Sequence, residues 1–527
     1  MSYTFNIASQ QSEFDQIHHL NYKTFVDEIP QHETNQSKIL VDKFHEENTY
    51  LICCKDDLVI GMLAIRDNRP LSLENKLENL EELLPKGYDH YCEIRLLTVE
   101  IEYRIGRVFR GLSQILARYC IQKGYDLGLI SATTRQLKLY KQLGFQPFGD
   151  LVGSEGAFYQ PMYLTKETFN ESTAGKVASK PISFLPGPVP VHQFVQKALA
   201  SAPIPHRSNQ FQLLMDSVKQ SLLSMTSANY MEILVGTGTL ANDVIAAQLS
   251  LHQGKGLILL NGEFGQRIKD HALRANLSFE VIDKSWGTPF SDAEIISKIE
   301  KGDISWLWMV HSETSTGMLN SVEKIKEICE RYQVHLCLDC ISSLGALPLD
   351  LQGVYLASGV SGKAIGSYTG LSFVFHQENI PPSNRLPRYL DLGMYQMQNS
   401  VPYSHTSNLM CALKEALKQY ESNNRYDKIA ADISLVSASL AEAGISVLLN
   451  AENSSPFIIT IPLSSDYSST EIGKYLEMQG IFVHFESDYL KQRNWIQIAC
   501  LGEYKKRDLT NMVKTLHQKI KTPQGQS

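Results

Sequence analysis

At 527 residues, with 43% hydrophobic and 20% charged side chains, the chain has the composition of a folded globular protein and is too long for one ordinary core, so two or more domains are expected. A net charge of -7 argues against general attraction to nucleic acid or anionic membrane, so an anionic ligand must be held by a local site. No run approaches the roughly 18 consecutive apolar residues of a membrane span, and the opening stretch is polar without a basic-then-apolar leader pattern, which together predict a cytoplasmic protein.

Along the first part, Tyr50 to Cys54 and Leu58 to Ile65 read as strands joined by the polar turn Lys55, Asp56 and Asp57, which predicts a hairpin. Glu93 to Val99 is a further strand. Val108, Leu112, Ile115, Leu116 and Tyr119 have helical spacing within Val108 to Lys123, and Leu127 to Ser131 reads as the next strand. Between strand and helix stand Arg104, Arg107, Arg110 and two glycines, Gly106 and Gly111. Backbone N–H groups and guanidinium groups in such a turn can hold a pyrophosphate.

The stretch Gln136 to Phe148 (QLKLYKQLGFQPF) resembles the closing motif of the GNAT acyltransferases, and the resemblance extends loosely over residues 1–165. Within that superfamily, YKTFVDE at 22–28 and EIRLL at 93–97 are similar to N-acyl-amino-acid and acyl-homoserine-lactone synthases. The resemblance implies an α/β GNAT domain whose co-substrate is an acyl-CoA or an acyl carrier protein thioester. It implies that Arg104, Arg107 and Gly111 bind that ligand and that Tyr140 protonates the leaving thiolate. Two alternatives stay open: Tyr140 is a core residue beside Phe145, and, because Arg107 to Arg110 separate the glycines, the donor is an acyl carrier protein or an unusual acyl-CoA, or the loop is inactive.

Residues 166–180, rich in Ser, Thr, Lys and Glu with few large apolar side chains, are expected to be a linker. Beyond them, Ser305 to Val310, Ser321 to Tyr332 and Val334 to Leu338 read as strand, amphipathic helix and strand, a βαβ unit that leaves Asp339 at the carboxyl end of a parallel strand. Ligands of open α/β sheets bind at that edge. Nine cysteines are too few and odd in number for a disulfide framework. Cys337 and Cys340 have CxxC spacing but lie in an apolar run with no second pair, so they read as strand residues and no metal is expected.

Pyridoxal phosphate (PLP) chemistry needs an anion-binding loop, a flat side chain over the ring, a carboxylate facing the pyridine nitrogen and a lysine amine. The second part presents them in order: Thr237, Gly238 and Thr239 before the apolar helix Ala241 to Leu249; Phe264; Asp339; and Lys363 as the Schiff-base lysine. Each is weak alone, since a Gly/Thr turn is usually a cap and a lone Phe usually core.

The matching stretches are LPGPVP at 185–190, HRS at 206–208, GTGT at 236–239, NGEFGQR at 261–267, HSETSTG at 311–317, DCISSLG at 339–345 and SGK at 361–363. They resemble the class V aminotransferases of PLP fold type I, especially the alanine-glyoxylate, serine-glyoxylate and 2-aminoethylphosphonate-pyruvate group, over residues 183 to about 515. The resemblance implies an aminotransferase domain at 181–518, with a large α/β subdomain at about 200–430, a small α/β subdomain at about 431–518, and a tail at 519–527. It further implies that Thr314 bonds the cofactor's phenolic oxygen and that Ser361 joins the phosphate site. Tyr403 and Thr406 would reach a phosphate across a homodimer interface.

Gly362 stands where many relatives carry Gln. Gln497 stands where the family's substrate-clamping Arg is expected, which predicts altered substrate choice unless Arg493 substitutes. The expected function is a bifunctional enzyme, coupling transamination between a small amine or amino acid and a keto acid or aldehyde to N-acylation. The alternatives are a transaminase with a non-catalytic acyl-binding domain, or a PLP decarboxylase or lyase.

Overall fold

The computed structural model describes residues 3–29, 32–104, 106–154, 157–177, 181–421 and 424–521. It divides into two compact units: the described residues up to Pro181 with Lys474–Ile481 form the first, and those from Ile182 to Gly473 with those from Phe482 to Lys521 form the second.

The first unit runs β1 (Tyr3–Ile7), α1 (Gln11–Tyr22), β2 (Thr49–Lys55), β3 (Leu58–Arg66), α2 (Leu80–Leu83), β4 (Tyr91–Val99), α3 (Gly106–Lys123) and β5 (Leu127–Thr133). It continues with α4 (Leu137–Gln142), β6 (Gln146–Pro147), β7 (Val152–Ser154), β8 (Ala157–Thr165), α5 (Lys166–Glu171) and α6 (Thr173–Val177). The expected hairpin is β2 and β3, whose two-residue turn places Asp56 and Asp57 at φ 49 and 65, a conformation Asp tolerates better than most residues. The sheet order is β1-β2-β3-β4-β5-β8-β6, with β7 paired to β8.

Two features of this sheet place the site. Strands β4 and β5 pair in parallel only over Tyr91 to Glu93 against Leu127 to Leu129 and are unpaired beyond. At the same end β4 bulges against β3, with Leu96 at φ 53. Helix α3 covers one face with Val108, Leu112, Ile115, Leu116 and Tyr119, all buried at the spacing expected. The stretch expected as a linker is α5 and α6 as far as residue 177; residues 178–180 lie outside the described residues. Thr165 caps α5 by accepting from the Thr168 N–H at 3.2 Å, and local capping of this kind is how a polar segment becomes helical without a large apolar face.

The second unit opens with β9 (Ile182–Ser183), α7 (Gln193–Leu199), α8 (Asn209–Ser224), β10 (Tyr230–Gly236), α9 (Gly238–Leu249), β11 (Lys255–Leu260), α10 (Glu263–Arg274) and β12 (Phe279–Asp283). Next come α11 (Asp292–Lys301), β13 (Ile304–Val310), β14 (Ser312–Glu313), β15 (Met318–Leu319), α12 (Val322–Arg331), β16 (His335–Asp339), β17 (Leu356–Val360) and β18 (Gly370–His376). The chain continues with α13 (Leu392–Met397), α14 (Ser407–Leu417), α15 (Asn424–Glu442), β19 (Ile458–Pro462), α16 (Ser469–Met478), β20 (Ile481–Phe482), α17 (Asp488–Arg493), β21 (Trp495–Ala499) and α18 (Lys506–Lys521), of which residues 474–481, the end of α16 and the start of β20, cluster with the first unit. Helix α15 runs across residue 431, where the subdomain change was expected, and α18 reaches into the expected tail.

Its seven-stranded sheet has the order β10-β18-β17-β16-β13-β11-β12. The pairs from β17 to β12 are parallel, and β18 is antiparallel to both neighbours. Both faces are covered, which is why these strands are continuously apolar. One core joins α9 and α10 to Ile258, Trp306 and Trp308; the other joins α8, α11, α12 and α14 to Leu257, Leu307 and Leu336. Every loop at the carboxyl ends of β10, β11, β13, β16 and β17 therefore opens along one edge.

Candidate active site

Asp339 is the last residue of β16, so β-pairing fixes its backbone, and its carboxylate is buried. One oxygen accepts from Asn242 Nδ2 at 2.8 Å and the other from the Ile341 N–H at 2.9 Å. Burial raises its pKa, against those two hydrogen bonds and the nearby His271 and Lys363. A carboxylate so placed has a strong requirement for a cationic partner.

Lys363 lies just beyond β17 in a loop whose shape is set locally. The Ser361 hydroxyl donates to the carbonyls of Tyr368 at 2.6 Å and Leu371 at 3.0 Å. Gly362 is required because a Cβ there would stand 2.3 Å from Thr369 Oγ1. The Lys363 amine makes no direct ion pair or hydrogen bond among the described residues. A Cβ on Gly187 would stand 2.9 Å from Nζ, so the LPGP segment forms a wall of its slot. Burial lowers the Lys363 pKa, Asp339 opposes that, and Arg267 adds to it, which favours the uncharged, nucleophilic amine.

Thr237 and Thr239 are exposed at the start of α9, and no side chain caps the helix there. Its first N–H groups are thus available to an anion. Gly238 closes the distance to the carboxylate strand: a Cβ would lie 2.6 Å from Ile341 Cδ1, two residues past Asp339. Phe264 is the second residue of α10, and Glu313 fixes that helix start by accepting from the N–H groups of Phe264 at 3.3 Å and Gly265 at 2.9 Å. The Arg267 guanidinium lies 4.9 Å from the centre of the Phe264 ring. The donor set suits PLP: an amine with no partner, a buried carboxylate lacking a counter-charge, an aromatic ring on a fixed helix start and an uncapped helix N-terminus.

Other expected residues are placed differently. Ser361 spends its hydroxyl on its own loop instead of facing a phosphate. Thr314 donates to Ser342 Oγ at 2.6 Å. Gln497 is fully buried: its amide nitrogen donates to Thr314 O at 2.7 Å, Ser315 O at 3.1 Å and Thr460 Oγ1 at 2.9 Å, and its oxygen accepts from His484 Nδ1 at 3.0 Å. It is a tie between β21 and the HSETSTG loop, not an open substrate contact. Arg493 is stacked over Trp286 at 3.4 Å. The Tyr403 hydroxyl donates to Arg388 O at 2.9 Å, and Thr406 caps α14 by accepting from the Leu409 N–H. Asn242, Glu313 and Gly187 had no assigned role; Glu313 and Gly187 sat inside motifs already singled out and Asn242 in the helix that follows the GTGT motif, which was the available signal.

In the first unit, Arg104 is bidentate to Glu28 and also donates to Val99 O at 2.9 Å, so its guanidinium is committed within the fold. Arg107 sits over Tyr3 at 5.2 Å. Gly111 lies inside α3, where a Cβ would meet the Phe5 ring at 1.9 Å; close packing, not a phosphate turn, accounts for it. Tyr140 is brought to a different place, a cavity of roughly 80 Å³ at the β4–β5 splay. Its walls include Arg95, Leu96, Phe109, Ser131 and Phe145. The Tyr140 hydroxyl has no protein partner among the described residues, and burial raises its pKa. Ile94 and Leu116 line both this cavity and a larger, mostly apolar one of roughly 400 Å³ under α3, α5 and α6.

Comparison with known sequences and structures accords with both halves. The family described as "Aminotransferase class-V" matches residues 191–485, and the family "N-acyl amino acid synthase FeeM" matches residues 16–166. A 2-aminoethylphosphonate–pyruvate transaminase of Pseudomonas putida is 24% identical over 345 residues, covering 62% of this chain and 93% of that protein. The crystal structure of an alanine–glyoxylate aminotransferase from Nostoc superposes with a TM-score of 0.59 at 27% identity, over 64% of this chain and 95% of that one. A ureidoglycine–glyoxylate aminotransferase from Bacillus subtilis shares the fold, with a TM-score of 0.60 at 18% identity over 64% and 92% of the two chains.

Proposed function

The chain belongs to the class V aminotransferase family, and from that premise we propose that it couples PLP-dependent transamination of a small amine or amino acid with a keto acid or aldehyde to N-acylation of an amine from an acyl thioester. The observation that carries the first half is the unpartnered Lys363 amine near buried Asp339 and the open start of α9. Bound there, PLP supplies an aldehyde for the lysine and an electron-withdrawing ring. Lys363 would hold its aldehyde carbon, Asp339 its ring nitrogen, the N–H groups of Thr237 to Thr239 its phosphate, and Phe264 its face. Lys363 Nζ, whose pKa burial lowers, is the atom that moves a proton at the substrate's amine-bearing carbon. In a homodimer, Tyr403 and Thr406 would reach the other subunit's phosphate only by giving up their bonds to Arg388 O and the Leu409 N–H. Borohydride reduction of the purified protein should leave a pyridoxyl mass on Lys363; a label on a different lysine overturns the assignment.

For the second half, the support is the cavity at Tyr140 and the larger, mostly apolar one that shares Ile94 and Leu116 with it: an acyl group would place its carbonyl beside Tyr140, and its chain would reach the larger space if Ile94 and Leu116 move aside. The amine nitrogen attacks the thioester carbon, a C–N bond forms and the C–S bond breaks. The sulfur leaves with the electron pair and is protonated from the Tyr140 hydroxyl, while the amine's proton passes to water and replenishes Tyr140. Thiol release from acyl-CoA that depends on added amine tests this. The commitment of Arg104 to Glu28 favours a second reading, an acyl-binding unit, in which acyl-CoA binds and no thiol is released.

A further inference from the structure

Asn242 is the fifth residue of α9, about one turn beyond the uncapped start of that helix. The turn carries the chain from an end open to an anion down to the strand edge where Asp339 closes β16. There the Asn242 side chain is buried, in company with Ala241, Val244 and Ile245. An amide in such surroundings costs free energy unless its polar atoms are bonded. Its Nδ2 donates to Asp339 at 2.8 Å, whereas its Oδ1 has no partner among the described residues. The amide is thus held from one side only, by the carboxylate.

From the side of Asp339 the same bond carries more weight. Each carboxylate oxygen has one donor, the Ile341 N–H at 2.9 Å and Asn242, and Asn242 is the one side chain among the described residues that donates to it. Burial raises the Asp339 pKa; Asn242 is foremost among the groups that lower it, ahead of the Ile341 N–H, His271 and Lys363. A carboxylate that accepts an N–H is the weaker base. Deprived of that donor, a buried aspartate facing a pyridine nitrogen would take the proton for itself, since the neutral pair suits an apolar site better than the charged one.

We propose that Asn242 is a positioning residue that keeps Asp339 a carboxylate toward the PLP ring nitrogen, so that the proton the two share stays on the nitrogen. This rests on the PLP reading. Asn242 acts through Asp339 and needs no contact with cofactor or substrate. One helix then serves both ends of the cofactor: the first N–H groups of α9 hold the phosphate, and a side chain one turn later sets the charge on the ring. No bond is made or broken in this role; only the resting place of one proton is decided.

The test loads the full chain, and its Asn242→Leu and Asn242→Ala variants, with PLP isotopically labelled at the ring nitrogen and reads that nitrogen's magnetic resonance, a signal that packing alone does not move. The wild type should show the pyridinium position, and both variants should move toward that of neutral pyridine. Single-turnover amine transfer should slow roughly 10- to 100-fold in the variants, the scale of one hydrogen bond to a charged group. In an Asp339→Asn background, Asn242→Leu should change that rate by less than about twofold, because the carboxylate it acts through is gone. A pyridinium resonance unchanged in both variants overturns the assignment, as does an Asn242→Leu effect equally large without the Asp339 carboxylate. Wild-type protein that takes no pyridoxyl label on Lys363 overturns the PLP reading itself, which separates the two failures.

Discussion

The two units put their chemistry in different kinds of place. In the aminotransferase unit each site residue follows the carboxyl end of a strand, and the sheet brings those ends to one edge whatever lies between them in sequence. In the N-terminal unit the cavity lies where β4 and β5 fail to pair, so its walls exist only through tertiary placement. Short motifs point to candidates for the first kind of site. They misreport the second: the Arg and Gly cluster at 104–111 looks like an anion loop, yet Arg104 is taken by Glu28 and Gly111 by Phe5.

The sharpest way to break this comparison is Lys363→Ala, which should lower transamination at least ~1000-fold by removing the nucleophile. Amine-dependent thiol release measured on the same protein should stay within about twofold. Loss of both together would mean the units do not act independently. Next in size, Tyr140→Phe should cut thiol release about 100-fold, the scale of one general acid, and leave transamination unchanged. Unchanged thiol release would return Tyr140 to the core beside Phe145.

Acid should distinguish the units by stability. Burial holds His311 and His405, both in the aminotransferase unit, to a pKa of about 4. Between about pH 6.5 and that value the unfolded chain takes up protons that the folded chain does not. Their contribution is therefore complete above about pH 6.5 and lost as pH falls. Lowering the pH from 6.5 to 5 should cost roughly 2 kcal/mol per histidine, read from urea midpoints, and His311→Asn should flatten the slope. The smallest effects are two packing controls. Gln497→Leu strands the acceptors it serves and should cost the aminotransferase unit about 1 to 3 kcal/mol. Gly111→Ala forces a methyl into the Phe5 ring and should cost the N-terminal unit about 1 to 3 kcal/mol. Denaturation followed by unit-specific probes checks both; a Gln497→Leu protein of unchanged stability with a new substrate range would restore Gln497 to the substrate site.

What was legible follows from the same distinction. The hairpin at Asp56, helix α3 and the βαβ unit ending at Asp339 all rest on local periodicity, and the structure has them. The helices α5 and α6 were not legible, because Thr165 to Val177 carries the polar composition of a linker and is shaped by caps instead of an apolar face. Gln497 was misjudged for another reason. Alignment to a family motif gives its position but says nothing of the three acceptors and one imidazole that meet it there.

The glycine at 187 lies so close to Lys363 that a Cβ there would stand 2.9 Å from Nζ and 3.1 Å from Cδ. A side chain there would displace the lysine tip before it moved any backbone, since the tip is the flexible partner. The timing of the lysine's swing between holding and releasing its ligand is thus open to adjustment from a residue that touches neither substrate nor strand edge. Directed variation at 187 would tune turnover as a mechanical stop tunes a lever, without rewriting any chemical group.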